Sequence, residues 1–179
     1  MKLALFRSDR REDTIAALYG AIVAQARSPT FYKTYQVPDT VEGRLEMVLL
    51  HTFLFYRRVR AGSDAVQPLG QDVFDRFCSD MDGNLREMGI GDLAVPRHMR
   101  RIGEAFYGRA AAYEAALTAG DKQAAAEALM RNVFSGLERH SEDARRLATY
   151  VMTVDAGLTR QQDACLAAGQ ISFPTPETL

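Results

Sequence analysis

Apolar residues recur at three- and four-residue spacing along almost the whole chain, and they alternate nowhere. A period near 3.6 gathers side chains on one face of a helix, whereas a half-buried strand needs a period of two. Ile15, Leu18, Tyr19, Ile22, Val23 and Ala26 form one such stripe. Phe74, Cys78, Met81, Leu85 and Met88 form a second, and Met99, Ile102, Phe106, Ala110, Tyr113 and Leu117 a third. With no strand pattern and no internal repeat, the spacing predicts an all-α fold, a single irregular bundle of about six or seven helices.

Turn residues place the breaks. Asp9 with Glu12 resembles a capping box for the first helix, and Ser28-Pro29 stops it. Residues 30–38 carry Phe31, Tyr32 and Tyr35 without helical spacing and read as a loop packed by its aromatics. Asp39 and Glu42 open a second helix, which Gly62 closes. A third runs over residues 71–88. Gly89 is placed to take its left-handed C′ position, with Ile90 against Leu85. Pro96 starts a fourth, Gly120 ends it, and Asp121 caps the fifth. Gly136 either breaks that helix or is carried through. Ser141 opens another that ends at Gly157, and Thr159 with Gln162 gives a capping box for a short last helix. Residues 1–179 make one helical domain, with 1–8 and 169–179 as flexible or irregular ends.

Composition removes several function classes. A chain of 179 residues can bury one core without staples. Its net charge of -1 excludes a general nucleic-acid binder, so DNA is not an expected partner. Cys78 and Cys165 lie far apart and in no CxxC, which suits a reducing compartment. The apolar start of the chain is too short for a signal peptide. The most apolar stretch, residues 47–56, falls short of the roughly 18 residues a membrane span needs. Association with a membrane from outside stays open.

Asp72, Asp75, Asp80 and Asp82 invite a magnesium reading, because acids three apart on a helix can hold the metal against a diphosphate. Such an enzyme, acting on an isoprenoid substrate, needs a second acidic cluster on a facing helix. The later acids, Glu138, Glu142 and Asp143, supply only a helix start. A solvated face explains the four aspartates better. His51, His98 and His140 stand alone, so no metal set is expected. Cys78 shares the face of Phe74 and Leu85, which suggests packing. The Gly89–Gly91 turn lacks the lysine and preceding strand of a phosphate loop. No catalytic residue, metal or cofactor is expected.

Two other features suggest contacts. Arg97, His98, Arg100 and Arg101 crowd the start of a helix, where cations oppose the macrodipole. Salt-bridged packing and an anionic-surface patch are both open readings. In the second helix, Leu49, Phe53, Phe55 and Tyr56 exceed what one face can bury. That helix is either central or lends an apolar groove to a partner.

Residues 80–92 contain Asp80, Met81, Asp82, Leu85, Arg86, Glu87, Gly89, Gly91 and Asp92; downstream stand Phe106, Tyr107, Gly108 and Arg109. This pair of segments resembles the ubiquinol–cytochrome c chaperone family. The likeness covers residues 15–154 and is strongest over 71–109. It implies a non-catalytic chaperone that binds newly made cytochrome b during assembly of respiratory complex III. It also implies a second assembly factor, a peripheral contact with the ribosome or an anionic membrane, and a place in the cytoplasm at the inner face of the inner membrane. The two segments are the expected family motif and partner contact. Gly108, in mid-helix, suggests close approach of another backbone or ligand, and Arg109 could reach Asp80 or Asp82. The competing readings are the isoprenoid enzyme and a generic membrane-surface adaptor.

Overall fold

The computed structural model describes residues 2–176, with side chains described from Arg10 onward. Those residues form an all-α bundle of six longer helices and two of five residues. The longer ones are α1 (Lys2–Ala26), α3 (Val41–Arg60), α4 (Pro68–Glu87), α5 (Val95–Ala119), α6 (Lys122–Asn132) and α7 (Ser141–Thr159). The short ones are α2 (Pro29–Lys33) and α8 (Asp163–Ala167). No strand occurs among the described residues.

Helix α3 is the axis of the bundle, with α1, α4, α5 and α7 packed around it. Its sequence explains that position. Every residue from Met47 to Phe55 is buried, which leaves no polar stripe to face water. His51 is part of this core. Its Nδ1–H donates to the Met47 carbonyl (2.7 Å), and its Nε2 accepts from the Tyr150 hydroxyl (2.8 Å). Phe31, Tyr150 and Phe173 surround the ring. Burial depresses its pKa to about 4, against a weaker opposing effect of the Met47 bond. It is a satisfied core histidine.

Several boundaries differ from expectation. Helix α1 begins at Lys2, so Asp9 lies inside it and starts nothing; its side chain is outside the described residues. Thr40, not Asp39, caps α3, accepting from the Gly43 N–H at 3.1 Å. Asp39 pairs instead with Arg44. A Cβ at Gly43 would sit 2.0 Å from the Pro38 oxygen, so only glycine fits there. Residues 29–33 form a short helix where a loop was expected, because Pro29 takes a first-turn place. Phe31 and Tyr35 pack inward from this region, as expected of its aromatics. Helix α6 ends at Asn132, and the chain turns away just beyond it through Ser135 at φ 55° and Gly136 at φ 73°. Helix α7 runs through Gly157 to Thr159, and Thr159 bonds back to Asp155, leaving α8 without the expected capping box.

The turn between α4 and α5 forms as its residues predict. Gly89 has φ 83°; the Ile90 N–H reaches the Leu85 carbonyl (3.0 Å) and the Gly89 N–H that of Arg86 (2.9 Å). This is a Schellman motif. Gly120 ends α5 similarly, and the Asp121 side chain caps α6 through Ala124 N–H. Residues 170–175 have no regular structure but are held: Gln25 donates to Pro174 O, and Phe173 packs on His51. The last three residues of the chain lie outside those described.

Candidate client-binding surface

The helices that carry the two motif segments pack on one another, α4 on α5. The Phe74 and Phe106 rings lie 4.6 Å apart, with Phe106 buried and Met81 and Ile102 half-buried beside the core. Leu85 is half-buried one turn further on. Burying both stripes positions the helices, and the polar motif residues then finish the junction. Asp80 accepts from the Tyr19 hydroxyl at 2.9 Å, tying α4 to α1. Burial, and then Asp80, hold the Tyr19 hydroxyl protonated well above its ordinary range. Arg86 bonds Asp82 at 2.6 Å within its own helix and also Asp92 beyond the turn. Residues 80–92 therefore build a braced turn. Glu87 and Gly91 are exposed there.

Arg109 does not reach Asp80 or Asp82. It forms a two-point pair with Glu46 of α3, because its position on α5 faces the bundle axis and not the end of α4. Burial raises the Glu46 pKa even against Arg109. Gly108 admits no close approach either: nothing stands within 4 Å of a Cβ placed there. It lies on the solvent side of α5.

The apolar groove expected along α3 is largely absent, because Leu49 and Phe55 are taken up by the core. What remains is a groove of about 810 Å³ at the C-terminal end of α3, between α5 and α7. Phe53 and Phe106 form its buried floor. Tyr56, 37% exposed, and Tyr107, 64% exposed, stand at its edges, and Ala110 and Ala111 keep one wall low. The other wall is charged. Arg57 bonds Glu114 and Asp155, the latter at 2.9 Å. Arg58 bonds Asp163 at 2.6 Å and the Leu158 carbonyl at 2.8 Å. The Ser63 N–H, then Arg58, hold the Asp163 carboxyl down at about 2. These bonds fix the groove's shape. Its charged residues are invisible to sequence reasoning, since Arg57 and Asp155 stand 98 positions apart.

The aspartates singled out for a metal are engaged otherwise. Asp72 pairs with Arg11, Asp75 accepts from Gln71, Asp80 from Tyr19, and Asp82 pairs with Arg86. No group of three or more potential metal ligands exists among the described residues. Burial, with Asp75 nearby, raises the Cys78 thiol pKa, which opposes nucleophilic use. In the basic cluster, Arg100 pairs with Glu104, while Arg97 and Arg101 are exposed and have no partner among the described residues. His98 is half-buried.

Comparison with known proteins gives the family. The ubiquinol-cytochrome C chaperone family matches residues 33–173. The chain belongs to this family. A crystal structure of the Cbp3 homologue from Brucella abortus superposes with a TM-score of 0.90 at 43% identity, covering 100% of this chain and 99% of that one. No curated protein matches. The family match includes α3, both motif segments and the whole groove lining. No described helix is long and apolar enough to cross a membrane.

Proposed function

We propose that this chain is a non-catalytic assembly chaperone that binds newly made cytochrome b during biogenesis of respiratory complex III. Its client contact is the groove floored by Phe53 and Phe106. Membership of a chaperone family supports a protein client. The groove carries the proposal further: an aromatic floor with two exposed tyrosines at the rim suits one apolar helix of a multi-helix client. The paired charges around it tie α5, α7 and α8 to α3 and so fix its width. Phe74 of α4 packs against Phe106 in that floor. On this reading the protein works at the inner face of the inner membrane, with a second assembly factor taking over the loaded client.

Photo-crosslinking tests the assignment. A photoreactive residue at Tyr56 or Tyr107 should capture newly made cytochrome b, and one at the exposed Gln123 on α6 should not. Deleting the protein should lower assembled cytochrome b while its transcript stays normal, because an unprotected apolar client aggregates or is degraded. Charge reversal at Arg86 or Asp92, which unlocks the turn, should reproduce part of that loss. Normal cytochrome b and complex III activity in a deletion strain without a second copy of the gene would sink the proposal.

A further inference from the structure

The groove between α3, α5 and α7 is apolar along its floor and charged along its wall, and those charges do not cancel everywhere. Six charged side chains line it: Arg57, Arg58, Arg60, Glu114, Asp155 and Asp163. Arg58 is matched one to one by Asp163. Arg57 stands between two carboxylates, Glu114 and Asp155, so negative charge is in surplus there. Arg60 is exposed, and its guanidinium has no hydrogen bond or ion pair among the described residues. Helical spacing sets its place. Phe53, Tyr56, Arg57 and Arg60 follow one another around α3 at three- and four-residue steps, so Arg60 lies one turn beyond Tyr56 on the stripe that faces the groove. Arg57 and Arg58 already complement the dipole of that last turn of α3.

We propose that Arg60 reads the client: the groove takes an apolar helix that carries a carboxylate side chain near one end, and this carboxylate pairs with the Arg60 guanidinium. The inference rests on the groove being the client contact, and it adds the chemistry that the groove selects. A helix lying on Phe53 and Phe106 displaces water from beside Arg60. That strengthens the pull on an anion and penalises a client that leaves the guanidinium unanswered. A glutamate or aspartate at that end answers it. The same acid beside Glu114 and Asp155 would meet their surplus negative charge and be repelled. Charge of this kind decides between clients more than it adds raw affinity.

Peptide binding tests it. The probes are fluorophore-labelled helical peptides of leucine, alanine and glutamine, identical except for one position near one end that is Glu, Gln or Lys. The Glu peptide should bind about threefold to fivefold more tightly than the Gln peptide, as an exposed ion pair supplies, and the Lys peptide more weakly than either. Arg60→Gln should remove the preference, and Arg60→Glu should reverse it. Tyr107→Ala should weaken all three peptides alike, which locates them in the groove. Arg60 is exposed, so neither of its substitutions should move the melting temperature. Equal binding of the three peptides to the unaltered protein overturns the inference and leaves the groove assignment standing. A preference for Glu that survives Arg60→Glu overturns it too. Binding of none of the peptides sinks the groove assignment and this inference with it.

Discussion

Arg109 grips Glu46 through two hydrogen bonds, of 2.6 Å and 2.5 Å, and so fastens α5 to the central helix. The Glu46 side chain is only 11% exposed, so it is poorly solvated without its partner. Arg109→Gln should cost about 2 kcal/mol, between the values for exposed and fully buried pairs. Arg109→Gln with Glu46→Gln should cost less than the sum of the single changes. Denaturant unfolding of the four proteins checks this; strictly additive losses would mean that the two groups do not interact.

Phe106 and Tyr107 are neighbours with opposite duties. Phe106 is buried against Phe74, and Tyr107 stands mostly in water at the groove edge. Phe106→Ala should cost about 3–5 kcal/mol, the range for deleting a buried ring. Tyr107→Ala should change stability by less than about 1 kcal/mol and reduce client crosslinking. A large thermal shift for Tyr107→Ala would show that its ring supports the fold.

Gly108 is the third residue of that motif and carries no structural need for glycine. A Cβ there would meet nothing within 4 Å, and no positive φ is recorded. Gly108→Ala should therefore raise stability by roughly 0.5–1 kcal/mol, the helix-propensity difference. A loss in thermal unfolding would reveal a contact at this face.

The fate of these three residues shows which features of the fold can be read from sequence. Signals confined to about five residues are legible: the Gly89 Schellman turn, the Asp121 cap and the stripes of Phe74 and Phe106. Helix spacing says that Phe106 points inward and cannot say against what. The partner of Arg109 lies 63 positions away, among many carboxylates of equal local merit. Leu49 and Phe55 illustrate the same limit. A helix apolar all round is core if four neighbours cover it and a groove if three do, and only the packed bundle decides. The site's charged wall depends on Asp155 and Asp163 returning to α3 from the far end of the chain. The exposure of Met88 is equally hidden, because Met88 continues the buried stripe in sequence yet is 64% exposed past its end in space.

His51 gives the chain an acid sensitivity whose direction follows from its burial. Its folded pKa is about 4, below the ordinary value of 6.5, because the ring sits fully inside the core among Phe31, Tyr150 and Phe173. Above pH 6.5 the ring is neutral in both states and pH has no purchase on it. As pH falls from 6.5 towards 4, the unfolded chain takes up a proton that the folded one refuses, so stability drops. Below about 4 the folded ring titrates too and the loss levels off. The full effect is on the order of 3 kcal/mol, at 1.36 kcal/mol per pKa unit. His51→Gln keeps an acceptor for the Tyr150 hydroxyl but cannot titrate. Its unfolding free energy should therefore fall less steeply over that pH window than that of the unaltered chain, whatever its stability at neutral pH. Parallel pH profiles for the two proteins would show that His51 is not the group responsible.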